Sequence, residues 1–269
     1  MRIPQYVVNA FTDRPFAGNP AAVCVLDRWL PDETLQAIAA QNNLSETAFF
    51  LAESDGEDGA RRLRWFTPAN EVDLCGHATL ASAWVLLNEL GLSDELLRFD
   101  SLSGRLVVAR TEGGLRLDFP SRPPAPAAPP EGLLEALGGT PLEVVKARSY
   151  LVRYGSAAEV RALTPDLAAI EALDLFGVIV SAPGDDTEEP CDFASRFFAP
   201  SQGVPEDPVC GSAHCTLTPY WAARLGRERL LARHLSARGG WIRCELRGER
   251  VWLTGRAVTW SDGHVTLQG

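Results

Sequence analysis

The chain of 269 residues carries one lysine, Lys146. A pyridoxal-phosphate enzyme needs a lysine for its Schiff base. Lys146 lies in "LEVVKARSY", which has the pattern of a strand and no phosphate loop beside it. No Gly-x-Gly-x-x-Gly joins a strand to a helix, and no P-loop signature occurs. Nucleotide and pyridoxal cofactors are therefore disfavoured. No apolar run approaches the ~18 residues of a membrane span. The N-terminal "MRIPQYVVNAFTD" lacks the uninterrupted apolar core of a signal peptide. A cytoplasmic chain with no membrane partner is expected. Six cysteines, at 24, 75, 191, 210, 215 and 244, form no C-x-x-C pair. In a long chain without a secretory signal they do not suggest a disulfide framework. Cys210, His214 and Cys215 have poor spacing for structural zinc, so no metal is expected. The net charge of -10 argues against a nucleic-acid partner, which needs a basic surface.

What is present begins with apolar mass: 46% of the residues are hydrophobic, enough for a substantial core in one large or two mid-sized domains. Six prolines fall between Pro120 and Pro130. Such a semi-rigid stretch cannot pair in a sheet interior and is the best linker candidate. It divides the chain into a first half, 1–120, and a second half, 130–269, whose last strand can return to the first. The halves resemble each other. "RWFTP" (64–68) precedes "EVDLCGHA" (71–78), and "RFFAP" (196–200) precedes "EDPVCGSA" (206–213). Each has a Glu four residues before Cys-Gly. Upstream, "PDETLQAIAAQNNLSETAFF" and "PDLAAIEALDLFGVIV" both read as a proline-started helix followed by an apolar strand. "GHATLASAWVLLNELG" (76–91) is apolar nearly all round and should be a buried helix ended by Gly91. "GSAHCTLTPYWAARLG" (211–226) has the same plan, with Pro219 as an expected kink. The remaining segments read as meanders of short strands. A two-fold repeat of this kind predicts two similar α+β domains facing each other, each with a sheet wrapping one central helix.

The repeated turn carries the chemistry. A helix N-terminus exposes unpaired N–H groups and partial positive charge, and so attracts anions. Gly76 and Gly211 permit close backbone approach there. Two such termini sharing a cleft would hold a carboxylate and steady enolate-like charge. The plain reading of Cys-Gly is a tight strand-to-helix turn, which a matched second copy makes less sufficient. Glu46 stands between a polar loop and an apolar strand. Contact with apolar surface would raise its pKa and suit acid-base work, while a solvated loop glutamate is the alternative. His77 is a candidate proton relay, or a helix-start hydrogen-bonder. Asp207 is a candidate acid-base partner beside Pro208, or a solvated turn residue. Ser212 could donate to a substrate or cap its helix, and Asn19, in a Gly-Asn-Pro turn, could face the cleft or shape the turn. A thiol at a helix N-terminus ordinarily has a lowered pKa, so Cys75 and Cys210 could racemise a carbon centre from opposite faces. Free cysteines are also often small buried hydrophobes.

The segments "FAGNPAAV" (16–23), "NLSETAFF" (43–50), "DLCGHATLASAWVL" (73–86), "RFFAP" and "EDPVCGSAH" (206–214) resemble the PhzF-like, phenazine-biosynthesis-like family, relatives of diaminopimelate epimerase and proline racemase. They span most of the chain in the family's order. The resemblance implies a diaminopimelate-epimerase-like fold: two pseudo-symmetric halves, each wrapping a β-barrel-like sheet around a central helix, with the active site between them. It implies a homodimer without metal or organic cofactor, acting on a small carboxylate-bearing substrate by an acid-base proton shift. The family's proton-moving glutamate falls on Glu46, with Ser45 beside it. Its supporting histidine and aspartate fall on His77 and Asp207, and its Gly-Ser on Gly211 and Ser212. The chain departs from the phenazine enzyme in having cysteine at both turns, as two-thiol epimerases do. A two-cysteine amino-acid racemase or epimerase and a non-catalytic binding relative therefore stand as alternatives.

Overall fold

The computed structural model describes residues 1–185 and 190–268. Contacts divide the chain into two compact units. The first is Met1–Asp118 with Thr254–Gly269, and the second is Phe119–Leu253.

The first unit is built around a six-stranded sheet. Its order is Ala257–Thr266, Arg2–Ala10, Asn19–Leu26, Glu46–Leu51, Arg64–Phe66 and Glu71–Val72. The C-terminal strand pairs antiparallel with the N-terminal one along its whole length. Asn19–Leu26 and Glu46–Leu51 run parallel, with Ala21 opposite Glu46. A parallel pair needs a crossover, and the helix Asp32–Asn42 supplies it. That helix ends at Asn43, in left-handed conformation at φ 50°. Leu35, Ile38 and Ala39 form its buried face and pack against Cys24, Leu26, Phe49 and Phe66. The helix Gly76–Trp84 lies on the strands Arg2–Ala10, Asn19–Leu26 and Glu46–Leu51. Every residue from Gly76 to Ala83 is buried, as expected for a helix apolar on all sides. It continues as a π-helical stretch, Val85–Glu89. The backbone N–H of Leu92 then bonds the Leu86 carbonyl across Gly91, which takes φ 73°. This bond, one residue wider than the usual six-to-one closure because it follows a π turn, wraps a left-handed glycine, and Gly91 so stops the helix. The first unit also holds a meander of Leu96–Ser101, Gly104–Thr111 and the strand Gly114–Pro120 as far as Asp118.

The second unit carries a mixed sheet whose strands include Glu143–Lys146, Tyr150–Arg153, Val178–Pro183, Phe193–Ala199, Arg229–His234 and Gly240–Arg247. The short helix Leu167–Ala172 starts at Asp166, whose carboxylate accepts the Ala169 N–H. It leads into the buried strand Val178–Pro183, as its counterpart does in the first unit. The long helix Gly211–Leu225 packs on the strands Arg229–His234 and Gly240–Arg247. Pro219 does not end it. A proline lacks the N–H that would bond the carbonyl four residues back, here that of Cys215. That carbonyl instead accepts the backbone N–H of Arg122, from the proline-rich segment. The exchange satisfies a group that would otherwise be buried unpaired.

No helix among the described residues is long and apolar enough to cross a membrane.

Candidate active site

The first cluster is assembled from three chain segments of the first unit. Asn19 and Glu46 open neighbouring parallel strands, so their side chains start from the same end of the sheet. Cys75 is the N-cap residue of the buried helix, in extended conformation, and Gly76 and His77 form its first turn. Glu46 Oε2 lies 3.2 Å from His77 Nε2, with side-chain exposures of 15% and 5%. Asn19 Nδ2 lies 3.1 Å from His77 Nδ1, and Cys75 Sγ lies 3.5 Å from that same nitrogen. The imidazole thus stands between a carboxylate on one side and a thiol and a carboxamide on the other. With the Asn19 nitrogen facing Nδ1, the ring is the Nε2–H tautomer. The carboxamide turned over presents Oδ1 instead and suits the imidazolium. Ser45 precedes Glu46 in the turn and is half-buried.

Burial disfavours charge on His77. The Cys75 sulfur, by charge and by hydrogen bond, and the charge of the Glu46 carboxylate outweigh it and hold the imidazole pKa well above its ordinary value. Cys75 shifts in the opposite sense to a typical helix-start thiol. Burial dominates, the Glu46 carboxylate adds to it, and the thiol is pushed up to about 11. A helix terminus is favourable to a thiolate, but here it does not offset removal from water.

The second cluster lies wholly in the second unit. Asp207 ends the strand Val204–Asp207 and accepts the Val209 N–H through Oδ1. Cys210 is the N-cap residue of the helix, and Gly211 and Ser212 form its first turn. The Ser212 hydroxyl lies 3.3 Å from Cys210 Sγ. Burial and the Asp207 charge raise the Cys210 thiol well above its ordinary range. The two clusters share a further detail at the position four residues after each cysteine. Thr79 Oγ1 donates to the Cys75 carbonyl, and His214 Nδ1 to the Cys210 carbonyl.

Each turn is held by an ion pair that the repeated motif contains but does not announce. Arg64 forks onto Glu71, with Nε to Oε1 and Nη2 to Oε2 both at 2.7 Å. Arg196 forks onto Glu206 in the same way, at 2.7 and 3.0 Å. Each guanidinium also lies over the phenylalanine two residues on, Phe66 at 5.0 Å and Phe198 at 4.9 Å. The remaining donors differ. Arg64 Nη1 reaches Asp32, while Arg196 Nη1 reaches the carbonyls of Val160 and Leu163. The glutamate of each pair stands four residues before its Cys, so the fork fixes the strand that delivers the helix start. The sequence signal was an arginine and a glutamate at matched places in both halves.

A two-pronged carboxylate–guanidinium contact is geometrically demanding, and the Arg64 and Glu71 side chains are 10% and 24% exposed. Removing one partner of a buried pair costs ~3–5 kcal/mol. The residual exposure of Glu71 lowers the expected loss for Arg64→Ala to about 2 kcal/mol. Arg64→Lys should recover less than half of it, since an ammonium cannot fork. Urea unfolding of the three proteins measures this.

The family described as phenazine biosynthesis-like protein matches residues 8–263. A protein of Pseudomonas aeruginosa described as an uncharacterized isomerase is 52% identical over 267 residues, covering 99% of this chain and all of its own. The crystal structure of a PhzF-family phenazine biosynthesis protein from Enterococcus faecalis is 45% identical and superposes with a TM-score of 0.90, covering 99% of this chain and all of that one. A hydroxyproline epimerase from Agrobacterium vitis, at 12% identity and a TM-score of 0.62 over 98% of this chain and 92% of its own, shares the fold alone. The α+β, diaminopimelate-epimerase-like fold expected from the sequence is the one these structures show. The chain belongs to the phenazine biosynthesis-like, PhzF family, and stands there among relatives named as isomerases.

Proposed function

We propose that the chain is a PhzF-like isomerase that moves a proton on a small carboxylate-bearing carbon acid, with Glu46 as the group that takes and returns the proton. The observation that carries this reading is the Glu46–His77 pair at the mouth of a buried helix, 3.2 Å apart. A base must reach the substrate while its own position is fixed. Glu46 retains partial exposure, whereas His77 behind it is buried. His77 orients the carboxylate and, as an imidazolium, balances its charge when no proton is held. The amides at Gly76 and His77 point out of the helix start and offer donors to the oxyanion that forms as the carbon loses its proton. Asp207, Cys210, Gly211 and Ser212 stand at the matched helix start of the second unit and are proposed to take part in the same chemistry. The chemistry needs no redox change and no transferred group, so a carboxylate, an imidazole and helix amides suffice for it.

The two-cysteine reading has one observation in its favour, the 3.5 Å contact between Cys75 Sγ and His77 Nδ1, through which the ring could receive the thiol proton. Against it stands the Cys75 thiol, pushed up to about 11.

Solvent exchange tests the proposal. The full chain is incubated in D₂O with a panel of carboxylate-bearing cyclic and acyclic carbon acids, and deuterium incorporation is followed by NMR. At least one compound should exchange the hydrogen on a carbon activated by its carboxylate or an adjacent double bond. Exchange with none of them, while the chain still binds panel members, would favour a binding protein without catalysis.

A further inference from the structure

The group proposed to move the proton belongs to a set of metal donors. Glu46, Cys75 and His77 each offer one atom, and those atoms all lie within 4.8 Å of one another. Carboxylate oxygen, imidazole nitrogen and thiol sulfur together are the donors of three-ligand zinc sites, which leave the fourth position open. Ligand atoms around such an ion stand about 3.5 Å apart, given bond lengths of ~2.0–2.3 Å. One separation already fits, 3.2 Å from Glu46 Oε2 to His77 Nε2, while Cys75 Sγ lies beside the other ring nitrogen, 3.5 Å from Nδ1. One imidazole nitrogen must serve for both, so binding requires the thiol to turn about its Cα–Cβ bond towards Nε2, over a set whose atoms already lie within 4.8 Å of one another.

Two further features point to a ligand there. His77 is 4% exposed, and its Nε2 faces Glu46 without hydrogen-bond geometry to any of the described residues. Asn19 sits 3.1 Å from the other ring nitrogen. Turned so that Oδ1 faces the ring, its carboxamide would accept the Nδ1 proton and leave the Nε2 lone pair for a cation. A hydrogen-bonded far nitrogen of this kind is the usual companion of a metal-bound histidine. The corresponding turn of the second unit has Ser212 in place of His77 and makes no such trio among the described residues.

We propose that Glu46, Cys75 and His77 bind a thiophilic divalent cation of the zinc class, and that cation and substrate exclude each other. The binding half of this inference stands on the donor geometry alone. The exclusion half rests on the reading of Glu46 as the proton-moving group.

Cobalt(II) is the probe, because a cobalt–thiolate bond absorbs in the near ultraviolet. The full chain, reduced and in a non-chelating buffer without substrate, is titrated with cobalt chloride. A charge-transfer band should saturate at one cobalt per chain and be bleached by zinc chloride. Cys75→Ser should abolish the band, and Cys210→Ser should keep it. His77→Gln and Glu46→Gln should each weaken cobalt binding by at least about tenfold. No band at saturation overturns the proposal, as does a band that survives in Cys75→Ser. Should Cys75→Ser lose its far-ultraviolet circular dichroism, the other two variants decide, and unchanged affinity in both overturns it. Since binding is read without turnover, a chain that binds cobalt but exchanges no proton loses the isomerase reading and retains this one. A chain that exchanges protons but binds no cobalt does the reverse.

Discussion

Glu46→Gln is expected to lower the rate of substrate deuterium exchange by about 10²–10⁴-fold, the range contributed by a positioned general base. The substitution removes the titrating group and little volume. It also keeps an oxygen that can face His77, 3.2 Å away in the native chain. The folded state should therefore survive, and a thermal midpoint within a few degrees of the native one is the control. The expected loss corresponds to about 3–5 kcal/mol of barrier, and it should appear in kcat more than in KM, because the carboxylate acts on the reacting proton and not on binding. Cys75→Ser supplies the contrast. With its thiol pushed up to about 11, roughly one molecule in 10⁴ carries the thiolate at pH 7. A change below about tenfold is expected. The reverse pattern, a collapse in Cys75→Ser and in Cys210→Ser with Glu46→Gln nearly native, would transfer the role of base to the thiols.

The contrast depends on burial, which the sequence carries poorly. The repeat itself was legible because it is written in residue types: Arg, two aromatics, Pro, then Glu and Cys-Gly, twice. The buried helix was legible from its apolar residues on every side. The extension of that helix as a π turn was not, because the spacing of apolar residues is the same in either winding over one turn. Around Glu46, the sequence showed a carboxylate entering an apolar strand, and the parallel pairing that sets it beside Asn19 depends on a partner more than 20 residues away. His77 next to Cys75 suggested a relay. That the ring would stand between Cys75 and Glu46 required the tertiary fold. The thiols show the limit most clearly. Local sequence puts them at helix starts, where thiolates are favoured, and the surrounding core reverses the sign of the shift. The arginine–glutamate forks were visible as letters and unreadable as contacts, since a charged pair spaced seven or ten residues apart is ordinarily a solvated one.

Stability should fall as pH drops from about 6.5 to about 4, by about 3 kcal/mol from His214 alone. His214 is fully buried in the helix Gly211–Leu225, and its Nδ1 donates to the Cys210 carbonyl at 2.7 Å. Burial lowers its pKa from 6.5 to about 4, with that hydrogen bond opposing the shift. His234, whose ring lies 6.5 Å away, is pushed well below 6.5 by burial, then by His214 and by Arg196. A histidine with a depressed folded pKa binds its proton more readily when unfolded. Its contribution is complete above the unfolded value and drains as pH falls toward the folded one, at ~1.4 kcal/mol per unit for each group. His77 has the opposite sign: its folded pKa is raised, so its contribution is complete below 6.5 and is lost as pH rises through the folded value. Between pH 4 and 6.5 His77 is protonated in both states and adds no slope. Asp32 and Asp100, lowered by their arginine partners, and Glu143, lowered against burial by the Tyr220 hydroxyl and then Arg224, act at the acid end of the window and below it. The comparison with His214→Gln removes them. That variant keeps a donor for the Cys210 carbonyl and has no proton to gain, so its unfolding free energy in urea should fall less steeply than the native chain's between pH 6.5 and 4. Parallel curves would mean that His214 is already charged in the folded chain, and that the core around it admits a charge this packing does not provide for.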